Sequence, residues 1–217
     1  MNPVRSLSLP GGPAKGDGIM LLALALLLSA ALYRIVALWN PGLVNFSPLM
    51  ALAFCGAVYF RSARLWLVPF VALSLSDLYI NHYYAAQMGY AWDGVGAVTR
   101  TACFAAALGL GLIVARRKNW LNLFSGALGG SVLFYLATNT VSWATDAFYA
   151  RTAAGWWQAM TVGHPEFAPT LFFFRNTLVS DLLFTGLFAL VMEYAALRAG
   201  RPSLLGGGSR ETTAARV

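Results

Sequence analysis

Asp77 lies in the stretch ALSLSDLYINHYY, residues 72–84, with Ser74 three residues before it and Asn81 four after. That spacing sets the three side chains on one stripe of a helix. The stretch continues an apolar run over residues 65–71, so the carboxylate is bound for surroundings where charge is costly. Asn139, Ser142 and Asp146 repeat the same spacing further on. Arg34, Asn45, Arg175, Asn176 and Asp181 are also polar residues in or beside apolar runs. Arginine matches a carboxylate or phosphate, and asparagine offers a paired donor and acceptor. The ions pair by depth, with Arg34 and Arg175 as cations and Asp77 and Asp181 as their nearest anions.

Residues 147–174 join two apolar runs and are rich in aromatics, among them Tyr149, Trp156 and Trp157 beside His164. A connection this long can be a lid over an organic ligand. Its competing reading is an interfacial helix whose Trp and Tyr sit at headgroup level. His82, His164 and Cys55 lack metal-ligand spacing, so a metal centre is left open. No Walker loop, G-x-S-x-G elbow or H-E-x-x-H motif is present, so no catalytic residue is assigned and no cofactor is expected.

The elements that must position these groups follow from composition. The chain has 217 residues, 59% hydrophobic and 11% charged, with mean hydropathy +0.63. Soluble domains carry about 25% charged residues, so an ordinary globule is excluded. A bilayer core needs roughly 20 apolar residues per helix. Apolar runs give six spans, near 19–39, 47–60, 65–81, 94–115, 121–145 and 171–197. The second is short and reads as a tilted or partly inserted helix, with Ser47 placed to cap it and Pro48 at its first position. The expected architecture is all-α: a polytopic bundle of six transmembrane helices over residues 19–197, with loose tails at 1–18 and 198–217.

Fifteen Lys and Arg sort across that scheme. Arg5, Lys15, Arg61, Arg64, Arg116, Arg117, Lys118, Arg198, Arg201, Arg210 and Arg216 fall on one side if both termini are cytoplasmic. Only Arg34, Arg100, Arg151 and Arg175 remain for the membrane or the far side. The positive-inside rule therefore places both ends in the cytoplasm. The net charge of +7 reflects this topology rather than nucleic-acid binding. A cleaved signal peptide is disfavoured, because Asp17 abuts the first run and cleavage would break the charge sorting. With this orientation the polar residues collect in the outer halves of the spans. They predict one pocket open to the outer face, lined by Arg34, Asn45, Ser74, Asp77, Asn81, Asn139, Ser142, Asp146, Tyr149, Trp156, Arg175, Asn176 and Asp181.

The segments YRIVALWNPGLVNFSPLMALAFCGAVYF (33–60), LVPFVALSLSDLYIN (67–81), SVLFYLATNTVSWATDAFYARTAAG (131–155) and FRNTLVSDLLFTGLF (174–188) carry a pattern. It reads Asn-Phe-Ser-Pro, Pro-x(5–7)-Ser-Asp, Phe-x(3)-Thr-Asn-x(3)-Trp, Tyr-x-x-Thr-x-x-Gly and a late Asn-x(4)-Asp-Leu. It resembles a family of small bacterial six-helix membrane proteins with no assigned function. That family is similar in architecture to the S components of energy-coupling-factor transporters. The resemblance implies a protein of the bacterial cytoplasmic membrane that captures a vitamin such as cobalamin, and an ATPase-driven coupling module as partner. The small-x-x-x-small stripe through which S components dock is approximated only by Ala25 and Ser29, and Cys55 does not align with the cobalt-contacting cysteine of the cobalamin relatives.

The expected function is therefore uptake of a small vitamin-like solute held in the outer pocket, with the 147–174 connection as its lid. Two alternatives stand. One is a membrane enzyme acting on a lipid or isoprenoid head group, with Asp77 and Asp181 as acid–base or metal-binding carboxylates. The other is a scaffold whose polar groups only hold helices together.

Overall fold

In the computed structural model the described residues are 17–37, 39, 46, 48–60, 63–89 and 93–206. Their regular structure is entirely helical, in seven elements: α1 Asp17–Ala37, α2 Leu49–Tyr59, α3 Ala63–Met88, α4 Gly94–Arg116, α5 Trp120–Thr145, α6 Ala153–Thr161 and α7 Thr170–Arg198. Each of the six apolar runs contains a helix, and α6 is an extra short helix inside the connection between α5 and α7. α3 continues seven residues past Asn81. Those residues, His82 to Met88, end the apolar signal without ending the backbone hydrogen bonding.

α4, α5 and α7 are long and apolar enough to cross a membrane. Large apolar side chains also cover the outside of the bundle, including Leu32, Leu75, Val98, Leu121 and Leu187. So much outward apolar surface is a liability in water and the normal state in lipid. The chain is an all-α protein of membrane-protein type.

α2 occupies the middle of the bundle. Its sequence, LMALAFCGAVY, is apolar on every face, and a helix of that kind must be buried all round. Met50 to Cys55 and Ala57 are accordingly buried. Eleven residues span only about 16 Å, so α2 covers roughly half the length of its neighbours. The small residues of α4 and α5 let it in. A Cβ on Gly111 would press into the Phe54 carbonyl and lie 2.7 Å from the Ala57 Cβ, and one on Gly126 would lie 2.6 Å from the Phe54 ring. Gly130 faces the Met50 Cβ at 3.6 Å. Phe104, Ala107, Leu123 and Phe188 complete the core around α2.

Contacts between helix ends define two ends of the bundle. At the upper end, the finish of α1 and the start of α4 meet α3, and the finish of α5 meets the start of α7. At the lower end, Lys118 between α4 and α5 pairs with buried Glu193 of α7 and lies over the Tyr59 ring at 4.7 Å. Glu193 also accepts the Leu204 N–H at 2.7 Å, and the Ser203 hydroxyl donates to the Glu193 carbonyl at 2.8 Å. Residues 201–206 are thus folded back against α7, where a loose tail was expected; the buried carboxylate needs the donor that this segment brings.

Candidate functional site

The stripe Asn139, Ser142 and Asp146 faces a cavity of about 270 Å³ between α5 and α7. Phe134, Tyr135 and Thr138 extend the α5 wall, and Phe173, Phe174 and Thr177 form the α7 wall. Tyr149, His164 and Phe167 close the top. Asn139 donates one amide N–H to the Tyr135 carbonyl at 2.8 Å, which fixes its plane. Asp146 ends α5 and accepts the Phe148 N–H at 2.9 Å, turning the chain over the opening. Burial raises the Tyr149 phenol above its ordinary value, and the Asp146 carboxylate pushes the same way. Tyr149 is therefore a neutral hydroxyl at neutral pH.

The roof is braced rather than loose. Trp156 of α6 donates its indole N–H to Thr140 at 3.1 Å, and the Tyr135 hydroxyl donates to the Met160 carbonyl. Trp143 donates to the Ala150 carbonyl at 2.9 Å, and Arg151 donates to the Trp143 carbonyl in return. Thr152 caps α6 by accepting from Gly155 N at 3.2 Å. Gly163, at φ 75°, takes the left-handed conformation that ends it. His164 then packs against Phe148, ring centroids 4.2 Å apart and tilted by 50°, above the cavity.

A second cavity, about 240 Å³, lies on the other side of α5 against α4. Thr99 and Arg100 of α4 line it with the cap residue Asp93, and Val141 and Thr145 line it from α5. Thr138, Ser142 and Asp146 line both cavities. Behind Arg100 lies an ion network. Arg100 Nε donates to Asp77 Oδ2 at 2.7 Å, and Arg34 Nη2 lies 3.4 Å from Asp77 Oδ1. Arg34 Nη1 donates to Ser76 Oγ at 2.6 Å. Arg100 Nη1 reaches Asp93 Oδ2 at 3.3 Å, while Asp93 caps α4 through Gly96 N at 2.7 Å.

Among the described residues the polar set falls into separate groups. Asn139, Ser142, Asp146 and Tyr149 share the α5–α7 cavity, whereas Arg34 and Asp77 belong to the ion network. Asp181 is fully buried; it accepts Ala51 N at 3.0 Å and Ser131 Oγ at 2.7 Å. Its carboxylate caps the start of α2, the role expected of Ser47, which lies outside the described residues. Pro48 occupies the cap position and supplies no side-chain bond. Arg175 is exposed and lies over the Phe172 ring at 4.3 Å, so it does not pair with Asp181. Asn176 is buried in α7, and Trp156 holds α6 to α5. The Ser74 hydroxyl and the Asn81 amide nitrogen are buried on α3 with no hydrogen-bond partner among the described residues. Asn45 lies outside the described residues.

Sequence reasoning missed Arg100, Ser76, Asp93 and Glu193. Arg100 sits six residues into an apolar run, a signal that it faces a partner rather than a headgroup. Cys55 and Cys103 are buried free thiols. Among the described residues no group of three His, Cys, Asp or Glu side chains is placed to hold a metal ion.

Residues 15–204 match the family described as a family of unknown function, DUF6580, and the chain belongs to that family. No curated protein and no solved structure matches the chain.

Proposed function

We propose that this DUF6580 member is a six-span protein of the bacterial cytoplasmic membrane that captures a small, vitamin-like organic solute from the outer side. The observation that carries this reading is the α5–α7 cavity, with hydrogen-bonding groups on one wall and an aromatic roof. Ligand sites combine apolar and aromatic walls with a few fixed polar groups in this way. A cavity of about 270 Å³ lies just below the usual size of such sites. It favours a single heterocycle over a corrinoid such as cobalamin, which is far larger. The charge sorting of the loops supports an outward-facing upper end and cytoplasmic termini. The sequence pattern's resemblance to S components implies an energy source: release inward would be driven by an ATPase-containing coupling module.

The enzyme alternative needs Asp77 and Asp181 together. They lie in separate networks, one neutralised by arginines and the other capping α2. Nothing favours that reading here.

The test is a thermal-shift screen of the purified, detergent-solubilised protein against water-soluble vitamins. A ligand at 100 times its Kd adds about 2.7 kcal/mol of stability. At least one small heterocyclic vitamin is expected to stabilise the wild type, and Asn139→Leu, on the cavity wall, to abolish the shift. Absence of stabilisation by every vitamin would overturn the proposal.

A further inference from the structure

Two guanidinium groups share one buried carboxylate at the upper end. Arg34 and Arg100 both contact Asp77, whose side chain is 9% exposed. Arg100 also meets Asp93, but that side chain is 54% exposed, where water screens most of the attraction. Arg100 Nη2 is buried and has no partner among the described residues. A guanidinium N–H left unmet inside a protein costs free energy that an incoming anionic acceptor recovers.

Arg100 lines the α4–α5 cavity, and that cavity is continuous in its lining with the aromatic one. The crest of α5, formed by Thr138, Ser142 and Asp146, is the sill between them. On one side lie aromatic rings; on the other lies the unmet guanidinium.

We propose that the two cavities are one bipartite site. A flat ring lies on the aromatic side, and an oxyanion substituent, carboxylate or phosphate, crosses the Ser142 sill to accept from the Arg100 guanidinium, whose buried Nη2 turns toward it. This rests on the capture reading and names its ligand class: a small aromatic or heterocyclic acid. Asp146 stands on the sill as an acceptor, so the ligand also carries an N–H or ammonium donor on its ring. Asp77 and Arg34 position Arg100 from behind without touching the ligand.

The test uses the full chain in detergent with three probes: 4-aminobenzoate, 4-aminobenzamide and 4-aminophenyl phosphate. The carboxylate or the phosphate is expected to bind at least about tenfold more tightly than the amide, as a hydrogen bond to a charged group implies. Whichever of the two binds better identifies the oxyanion. Arg100→Gln is expected to erase the advantage. Because that change also disturbs Asp77, Val141→Phe serves as the second variant. It fills the charged side without touching the Arg100–Asp77 contact and is expected to erase the advantage too. Equal binding of acid and amide by the wild type would overturn this inference and leave solute capture standing. So would stabilisation by neutral vitamins with no response to the three probes. If neither probes nor vitamins bind, both readings fail together.

Discussion

A carboxylate with no exposed surface needs donors for its lone pairs, and Asp181 finds them in Ala51 N and Ser131 Oγ. The first N–H groups of a helix have no intrahelical acceptor, and α2 begins where no water reaches them. Asp181→Ala is therefore expected to cost about 1–3 kcal/mol for each donor left unpaired. Asp181→Asn keeps one acceptor oxygen and is expected to lose less. Thermal unfolding in detergent reads both, and an alanine variant as stable as wild type would refute the capping role. The sequence shows Asp181 on a polar stripe but not which way the stripe turns. The clue lay elsewhere, in a helix too short to reach the surface at both ends. Asp77 was more legible. Arg34 shares its depth and the two do pair, although matching by depth left out the second cation, Arg100.

At the scale of elements, α2 is held by close approach rather than by polar bonds. Gly111 and Gly126 carry the spacing of helix-contact residues, with Ala107 and Gly130, and all four lie on the faces that admit α2. Gly109, two residues from Gly111, has nothing within 4 Å of an added Cβ. Gly111→Ala is thus expected to lower the unfolding temperature by forcing α4 off α2, an overpacking cost of about 1–3 kcal/mol. Gly109→Ala is expected to be neutral or slightly stabilising, since alanine is the better helix former. Equal effects at the two sites would contradict the packing described. Helix positions were readable because apolar runs of this length have few other solutions. Their ends were less so: α3 passes Asn81 because helical hydrogen bonding continues where hydropathy falls. The centrality of α2 was not readable either, because an apolar run looks the same whether lipid or protein surrounds it.

For the whole molecule, the question is which way the upper end faces. In the proposed orientation, with the α4–α5 loop and termini inside by the positive-inside rule, the α5–α7 cavity opens outward. Its lining stripe, residues 139, 142 and 146, was visible as periodicity. The division of the remaining polar residues was not, since depth alone cannot say which of two neighbouring helices a side chain faces. The most direct measurement is sided labelling of Ser142→Cys in a background of Cys55→Ala and Cys103→Ala, using right-side-out membrane vesicles and a membrane-impermeant maleimide. An outward hollow predicts rapid labelling from outside, and protection when a stabilising solute is present. A thiol that labels only in inverted vesicles, or in neither orientation, would contradict it.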